Sequence, residues 1–389
     1  MNNARYIMIG GFLGAGKSTS VGRLARRLTD EHQSVGLITN DQGSGLVDTL
    51  TLRSQGFPVE EIAGGCFCCR FNSLKAAAET LSTATRPDVF IAEPVGSCTD
   101  LVATVSYPLR RIYGSNFRIA PLSVLVDPIR TQRILGLEDG RKFSANVTYV
   151  YRKQLEEADF IVINKTDLLS DNKLQILQES LATEFPDAEI LAVSARHGVG
   201  LDTWFDRLIA EEMPQNKYLE LDYDTYADGE AQLGWLNCTV ELSSPHEVDG
   251  NEVLENFTLR IQSLLATCGV EIAHLKMTLS PDSQACHGTA PTPLPDEIGV
   301  VNLVRLDGKP EVSHRLSEPL RNGQIIVNLR AEAAPEQLQA ELRRAIEGET
   351  LRQLLRVEHL ECFRPGRPEP TYRAPGRVPG SVEGLSTDG

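Results

Sequence analysis

Short apolar runs alternate with longer amphipathic segments along the first 210 residues of the chain. The runs are continuous stretches rich in valine, isoleucine and leucine, typical of strands buried on both faces of a sheet; they cover residues 6–9, 35–39, 89–93, 122–127, 160–164 and 190–194. Val21, Leu24, Ala25 and Leu28 follow the first run at helical spacing. Because strands that alternate with helices form βαβ units, the pattern predicts an α/β domain over residues 1–213 with a doubly wound, mainly parallel sheet.

After Pro214 the pattern changes to that of a second, smaller domain. An acidic connector over residues 214–231 leads to new apolar runs, four of them strand-like and two helical; they cover residues 235–242, 253–265, 273–279, 299–306, 324–329 and 335–346. This order predicts a small α+β domain over residues 232–347, with a ferredoxin-like arrangement as one option. Residues 348–389 are predicted to form a helix and a disordered tail, since 364–389 is rich in proline, glycine and arginine.

Net charge, the length of the apolar runs and the spacing of the cysteines exclude several kinds of binding partner and cellular location. The net charge of −15 opposes the phosphate backbone, so we expect no nucleic acid partner. No apolar run approaches the roughly 18 residues needed to span a bilayer, and a strand-like segment begins so early that it leaves no room for a signal peptide. Three of the eight cysteines lie within four positions, which favours reduced thiols over a disulfide framework. We therefore expect a cytoplasmic protein without a membrane partner.

A glycine-rich turn between the first strand and the first helix has the spacing of a phosphate-binding P-loop. The turn comprises Gly11, Gly14, Ala15, Gly16, Lys17, Ser18 and Thr19. Glycines allow backbone N–H groups to surround a β-phosphate, and the helix N-terminus adds partial positive charge. Lys17 is predicted to reach the β- and γ-phosphate oxygens, and Ser18 to supply a hydroxyl to Mg²⁺. The turn predicts a P-loop NTPase.

A second motif, Asn164-Lys165-Thr166-Asp167, follows another predicted strand and indicates which nucleotide base the protein recognises. The Asp167 carboxylate can accept hydrogen bonds from the N1 and N2 donors of guanine, a pair that adenine lacks. Asn164 is predicted to hold the loop, and the Lys165 stem to pack on the base. Ser194 and Ala195 follow the next strand and are predicted to close the base pocket. These residues favour GTP; a P-loop kinase or ATPase is the reading that Asp167 argues against.

Acidic and glycine residues follow two further strands. Glu93 ends the third predicted strand, where it can hold Mg²⁺ through a bound water, and the Gly96 amide can contact the γ-phosphate. Asp41 and Asp48 flank a glycine-containing loop, 43–45, that resembles a mobile switch loop. Both acids are candidate ligands of Mg²⁺ or of a second metal, although acids in such loops are equally often solvated turn residues. No catalytic glutamine or arginine finger is evident, which predicts slow hydrolysis.

Three thiols, those of Cys66, Cys68 and Cys69, follow the glycine pair 64–65 on a tight turn. Thiolates at this spacing bind Zn²⁺ or another soft to borderline divalent ion. Cys98 is a candidate fourth ligand, and Cys286 with His287 a weaker transient site. The other cysteines, Cys238, Cys268 and Cys362, lie in apolar or amphipathic stretches and are predicted to be packing residues.

The motifs occur in the order found in the CobW/HypB/UreG class of P-loop GTPases, which residues 5–210 resemble. The shared motifs are the turn 11–18, the strand end 93–96, the motifs at 164–167 and 194–195, and the Cys-x-Cys-Cys turn 66–69, which is the hallmark of the family. The resemblance implies a GTP-driven metallochaperone, or an accessory factor, whose cysteines bind zinc or a similar ion for a client metalloenzyme or cobalamin-related protein. The chain departs from the family in its switch, Asn40-Asp41-Gln42-Gly43, and in lacking a histidine-rich tract.

Two functions therefore remain open from the sequence. In the first, GTP binding assembles a metal site and hydrolysis releases the ion to the client. In the second, the chain is a GTP-regulated zinc sensor or adaptor that transfers no metal. The oligomeric state is also open, with a homodimer as one option.

Overall fold

The computed structural model describes residues 4–42, 47–113, 117–214, 219–282, 298–348 and 351–374. The N-terminal domain contains eight parallel strands: β1 (Ala4–Gly11), β2 (Val35–Asn40), β3 (Val59–Ile62), β4 (Val89–Glu93), β5 (Phe117–Ile119), β6 (Ser123–Val126), β7 (Phe160–Ile163) and β8 (Glu189–Ala192). They pair in the order β3-β2-β4-β1-β6-β7-β8, with β5 also beside β1. The doubly wound parallel sheet predicted from the apolar runs is confirmed.

Helices cover both faces of this sheet. They are α1 (Lys17–Asp30), α2 (Val47–Ser54), α3 (Phe71–Ala84), α4 (Tyr107–Tyr113), α5 (Pro128–Ile134), α6 (Ala145–Glu157), α7 (Asp171–Glu184) and α8 (Leu201–Ala210). Leu24 and Leu28 of α1 pack with Trp204 of α8 on one face, whereas Phe71 of α3 and Tyr151 of α6 belong to the core on the other face. Since parallel strands all point the same way, their carboxyl ends meet at one edge, where the predicted motifs lie.

Two strands of the sheet escaped the sequence prediction. The edge strand β3 carries Glu60 and Glu61 between two apolar residues, so it lacks the continuous apolar run of a central strand. β5 has only three residues and pairs with the first residues of β1. Both strands depend on their neighbours more than on their own sequences.

A second sheet, in which every paired strand is antiparallel, forms the C-terminal domain. Its strands are β9 (Gly234–Val248), β10 (Ile272–Pro281), β11 (Gly299–Leu303), β12 (Glu311–His314), β13 (Leu320–Ala331) and β14 (Leu355–Phe363), in the order β12-β11-β10-β13-β9-β14. The helices α10 (Gly250–Thr267) and α11 (Pro335–Ile346) pack on one face. The path β14-β9-β13-β10 has the order of a ferredoxin-like sheet, to which β11 and β12 add a hairpin.

The other face of this sheet lies against the N-terminal domain. Along β10, Leu275 and Met277 face the helices, so the alternating positions His274 and Lys276 point the opposite way. Trp235 of β9 shares a core with residues of the N-terminal domain. The small domain therefore covers part of the larger one with polar as well as apolar side chains.

Three expectations for the connecting and terminal segments are corrected. The acidic connector contains a helix, α9 (Tyr223–Gln232), whose buried Tyr226 and Glu230 contact the N-terminal domain. The predicted C-terminal helix is the strand β14, and a register shift between Val357 and His359 explains why its sequence lacks clean alternation. The tail was predicted to be disordered from residue 364, but residues 364–374 pack against the N-terminal domain. Among the described residues, no helix combines the length and apolarity needed to cross a membrane.

Candidate functional site

The glycine-rich turn has the backbone of a phosphate cradle. Gly11, Gly14 and Gly16 all adopt positive φ, between 78° and 127°, which favours glycine. A β-carbon on Gly16 would lie 2.3 Å from the Asn164 amide nitrogen, so this turn and the base motif are in direct contact. The ammonium of Lys17, at the start of α1, is buried and donates to the Gly11 carbonyl at 2.9 Å. Burial lowers the pKa of Lys17, and the nearby Glu93 and Asp48 oppose that effect.

Ser18, Glu93 and Asp48 converge beside this turn. The Ser18 hydroxyl donates to Glu93 Oε1 at 3.0 Å, and the charge of Asp48 acts on Glu93. Glu93 Oε2 is buried and has no hydrogen-bond partner among the described residues, so it can accept a ligand. Burial, together with the Asp48 charge, raises the pKa of Glu93 to about 7. The free oxygen of Glu93 and the neighbouring Ser18 hydroxyl are oxygen ligands of the kind that bind Mg²⁺ directly or through its water molecules.

The C-terminal domain adds cations that the sequence analysis missed. Lys276 of β10 lies 2.5 Å from Asp48, and Arg330 of β13 lies 3.1 Å from Asp41. Burial acts to raise the pKa of Asp48, but Lys276 outweighs it and holds that pKa below its ordinary value. For Asp41 burial prevails over Arg330, so its pKa is raised. The alternation of residues along β10 and β13 predicts on which face of the sheet these cations lie. It does not predict that this face meets the P-loop, so the sequence contains no local signal for the two ion pairs.

The base motif forms one hydrogen-bonded unit. Asn164 donates to the Ala15 carbonyl and accepts from the Ala195 amide, both at 2.9 Å. Ser194 donates to Asp167 Oδ1 at 2.5 Å, leaving the carboxylate partly exposed at 30%. Lys165 has a positive φ of 57° and donates to the Gly14 carbonyl at 2.7 Å. The geometry brings together all the residues predicted to contact guanine.

A buried carboxylate, Asp127, links the base motif to the C-terminal domain. It lies 2.9 Å from Lys165 and 3.2 Å from Arg305, which follows β11. Burial would raise the pKa of Asp127, but the charges of Lys165, Arg305 and Arg130 hold it well below its usual range. Arg130 also donates to the Leu13 carbonyl of the P-loop at 2.6 Å and to the Ala273 carbonyl at 3.1 Å. The second domain is thus attached to both halves of the nucleotide site.

The three predicted thiols come together between β3 and α3. Cys66 Sγ lies 2.7 Å from Cys68 Sγ and 3.2 Å from Cys69 Sγ, and the last two sulfurs are 3.7 Å apart. All three are free, and Cys66 and Cys68 are buried. Tetrahedral bonds of about 2.3 Å from a zinc ion place sulfurs about 3.8 Å apart. A small widening of the cluster therefore accommodates such an ion.

The cysteine turn is joined to the end of β2. Asn40, the last residue of that strand, donates to the Ile62 carbonyl at 2.9 Å and to the Gly65 carbonyl at 2.7 Å. The next residue, Asp41, donates its amide to Ile62 and pairs with Arg330. One chain segment therefore contacts Gly65, directly before Cys66, and it leads to the switch-like loop.

The terminal segment 364–374, here called the strap, covers the outer side of the same turn. Thr371 donates its amide to the Cys68 carbonyl at 2.8 Å, and the Glu369 amide donates to Cys69 Sγ at 3.2 Å. Tyr372 stacks edge-on against Phe71, and Arg373 pairs with the buried Asp100 at 2.7 Å. The sequence analysis missed the strap because its composition resembles that of a disordered tail.

The other residues predicted from the sequence lie around these sites or outside the described residues. Gly96 lies against the P-loop, since a β-carbon there would be 2.9 Å from the Leu13 amide nitrogen. Residues 43–46 of the switch-like loop, together with Cys286 and His287, lie outside the described residues. Cys238 is buried in the small domain and Cys362 packs against that core, but Cys268 is exposed at the end of α10.

Two known proteins are similar to the chain in sequence. A relative from Escherichia coli (strain K12), named zinc chaperone YeiR, is 29% identical over 198 residues, which cover 50% of this chain and 56% of the relative. A relative from Sinorhizobium sp, named zinc chaperone CobW, is 25% identical over 58% of this chain and 72% of the relative. The match thus spans little more than half of the first relative's length.

Solved structures also resemble the chain. Nickel-bound HypB from Helicobacter pylori matches with a TM-score of 0.41 and 16% identity, over 56% of this chain and 92% of that one. Zinc-bound YjiA GTPase from E. coli matches with a TM-score of 0.37 and 15% identity, over 89% and 99% respectively. The family model described as "CobW/HypB/UreG, nucleotide-binding domain" matches residues 5–192. Residues 5–192 of the chain therefore match the nucleotide-binding domain of the CobW/HypB/UreG family.

Proposed function

We propose that this chain binds and hydrolyses GTP and uses the bound nucleotide to control a divalent metal ion, zinc or one of similar chemistry, that it carries to a client protein. The observation that carries the proposal is the convergence of three free thiols on a turn that Asn40 ties to the switch strand. A metal site and a nucleotide site are thereby connected through one chain segment.

The nucleotide half of the function rests on the P-loop and the base motif. Asp167 would accept hydrogen bonds from guanine, with Asn164 holding the loop in place. Lys17 would contact the β- and γ-phosphate oxygens once it leaves the Gly11 carbonyl. Mg²⁺, held by Ser18 and through water by Glu93, would neutralise charge that develops on the phosphates. The remaining assigned contacts are those of Gly11, Gly14, Ala15, Gly16, Thr19, Gly96, Lys165, Ser194 and Ala195.

Lys276 and Arg330 place positive charges beside the switch acids. Each pairs with one of them, Asp48 or Asp41, on the side of the P-loop domain that faces the second sheet. If Asp48 or Asp41 turns toward a metal ion when GTP binds, the paired cation becomes available to the γ-phosphate. Hydrolysis by the chain alone would still be slow, on the order of 10⁻³ per second, as for P-loop GTPases without a supplied finger.

The cysteine turn is the cargo site. Zinc deprotonates the thiols that bind it, so loading releases protons and is favoured at higher pH. Cys66 is the natural first ligand, because hydrogen bonds from Cys68, Cys69 and Cys98 hold its pKa well below the usual thiol range. Thiols must remain reduced to act in this way, so the function belongs in a reducing compartment such as the cytoplasm.

The names of the relatives support delivery over simple storage, since two of them are called zinc chaperones. By analogy, the client would be a metalloenzyme or a cobalamin-related protein. In this scheme GTP favours the loaded state, and hydrolysis loosens the site so that the client can take the ion.

The test is a competitive Zn²⁺ titration in the presence of GDP and of a non-hydrolysable GTP analogue. Thermodynamic linkage requires Zn²⁺ and nucleotide to tighten each other by the same factor, about 5- to 150-fold for couplings of about 1–3 kcal/mol. Substitution of Cys66, Cys68 and Cys69 by Ser should abolish tight zinc binding and the coupling while leaving GTP affinity unchanged. Cys238→Ser, at a buried cysteine of the second domain, is the matched control.

Equal zinc affinity in both nucleotide states would contradict the proposal. Stoichiometric transfer of zinc to an apo-client on hydrolysis would separate delivery from the alternative, a GTP-regulated zinc sensor that transfers no metal.

A further inference from the structure

The strap is bound to the cysteine turn through hydrogen bonds from its backbone and one side chain. The Thr371 amide donates to the Cys68 carbonyl at 2.8 Å, and the Thr371 hydroxyl donates to the Cys69 carbonyl at 3.0 Å. The Glu369 amide donates to Cys69 Sγ itself at 3.2 Å. Cys69 is the least buried of the three thiols. The strap therefore covers the side of the turn from which a metal ion can enter or leave.

The end of the strap is bound to a different part of the fold, the segment between β4 and α4. Arg373 pairs with the buried Asp100 at 2.7 Å, and the Ala374 amide donates to the Ala103 carbonyl at 2.9 Å. Ala103 lies in a single π-helical turn, Val102–Ser106, a geometry that is frequent at functional sites. The strap thus bridges the cysteine turn and the segment between β4 and α4.

The same segment also lies against the P-loop. A β-carbon on Gly96 would be 2.9 Å from the Leu13 amide nitrogen, and the Gln154 side chain donates to the carbonyls of Gly96 and Cys98 at 2.9 and 2.8 Å. Asp100 follows a few residues later with a positive φ of 64°, which is uncommon for a residue other than glycine. Such a conformation persists only where the surrounding contacts impose it. This residue is therefore a point at which the segment can change its conformation.

We propose that the strap is a gate over the cysteine turn and that the nucleotide closes and opens it through the segment between β4 and α4. The inference rests on the proposed function, because it takes the cysteine turn to be the metal site. With GTP bound, Gly96 contacts the γ-phosphate, Asp100 keeps its pairing with Arg373, and the strap stays closed. Loss of the γ-phosphate shifts Gly96 and lets Asp100 relax, which weakens its contact with Arg373. The ion then leaves past Cys69.

The first experiment follows the strap itself, by hydrogen exchange of its backbone amides in the reduced, metal-free full chain with GDP and with a non-hydrolysable GTP analogue. The amides of Glu369, Thr371 and Ala374 should exchange at least about fivefold faster with GDP, the lower limit of typical couplings between sites. Asp100→Asn removes the charge that pairs with Arg373, and asparagine tolerates a positive φ. In this variant the amides should exchange rapidly in both states, at rates within about twofold of each other.

The second experiment measures the rate at which the zinc-loaded full chain gives its ion to an excess of a chromogenic chelator. The wild type should release zinc at least about fivefold faster with GDP than with the GTP analogue. Asp100→Asn should release it equally fast with either nucleotide. Arg367→Ala is the control within the strap, and it should keep the wild-type difference because its partner Asp224 is exposed.

Equal exchange of the strap amides in both nucleotide states, or faster exchange with the GTP analogue, would overturn this inference. If zinc affinity still depended on the nucleotide in that case, the proposed function would stand without the gate. Strap exchange that follows the nucleotide while zinc release does not would also overturn the gate. Zinc affinity that is the same in both states would instead contradict the proposed function, even if the strap moved. Because the decisive rates are those of the wild type, the test does not depend on the folding of a variant.

Discussion

The strap can be released by a single substitution, Arg373→Ala. The Arg373 guanidinium makes two contacts to Asp100, from Nε to Oδ2 at 2.7 Å and from Nη2 to Oδ1 at 3.3 Å. The Asp100 side chain is 1% exposed, so removing its partner leaves a buried charge. Breaking a fully buried ion pair costs about 3–5 kcal/mol. The cost here is lower, because Arg373 is 35% exposed and Tyr223 still donates to Asp100 at 2.6 Å.

We therefore expect the substitution to weaken attachment of the strap by about 2 kcal/mol. This corresponds to a roughly 30-fold increase in the population of the detached state. The assay is the rate of alkylation of Cys69 in metal-free, reduced protein, followed by peptide mass spectrometry so that the exposed Cys268 does not obscure the signal. Detachment removes the Glu369 amide from Cys69 Sγ, so the Cys69 rate should rise about 30-fold.

Arg367→Ala is the matched control within the same strap. Its partner Asp224 is 79% exposed and Arg367 itself is 55% exposed, so the pair contributes about 0–1 kcal/mol. The rate should change by less than about threefold. If Arg373→Ala folds normally but labels Cys69 at the wild-type rate, the strap does not protect this thiol, and the reasoning is wrong.

Three other predictions concern the nucleotide site, the domain contact and a buried acid. Asp167→Asn should weaken GTP by several kcal/mol at most and favour xanthine nucleotides, which carry a carbonyl at position 2; unchanged GTP affinity in a competition assay would contradict the base assignment. Lys276→Met should lower the free energy of unfolding, measured in urea, by about 2–3 kcal/mol, because it removes the cation that pairs with Asp48. The control Lys309→Met, at an exposed position, should change this free energy by less than about 0.5 kcal/mol. Burial, together with the charge of Asp100, raises the pKa of Glu157 to about 8. Between pH 4.5 and 8 the folded protein therefore keeps a proton on Glu157 that the unfolded protein loses. The free energy of unfolding consequently falls as the pH rises through this range. Glu157→Gln should remove this dependence and gain about 3 kcal/mol relative to the wild type between pH 5.5 and 8; parallel unfolding curves for the two proteins would refute it.

The parts of the site that could be predicted from sequence are those built from local chain geometry. The turn 11–18 needs glycines because its backbone has positive φ at three positions, and it stands between a buried strand and an amphipathic helix. The motifs at Asn164 and Glu93 end buried strands of one parallel sheet, so the fold brings them to the same edge. The turn 66–69 needs no distant residue to bring its three thiols together.

The errors in the fold have a common origin in pairing between distant segments. β14 is a strand because β9 offers an edge with which it can pair, although its own sequence contains a bulge. The strap is ordered because Asp100 and Phe71 offer partners for Arg373 and Tyr372. Neither partner can be identified from the composition of residues 348–374.

The sequence by itself determined the parallel sheet, the glycine-rich turn 11–18, the motif 164–167 and the thiol turn, because each depends on residue types at short spacing. Only the tertiary structure decided that Lys276 and Arg330 reach the switch acids and that the strap covers Cys69. The physical reason is that period-two alternation fixes the face of a strand on which a side chain lies, but not the surface that this face meets. That choice is made by packing between elements that are far apart in the chain.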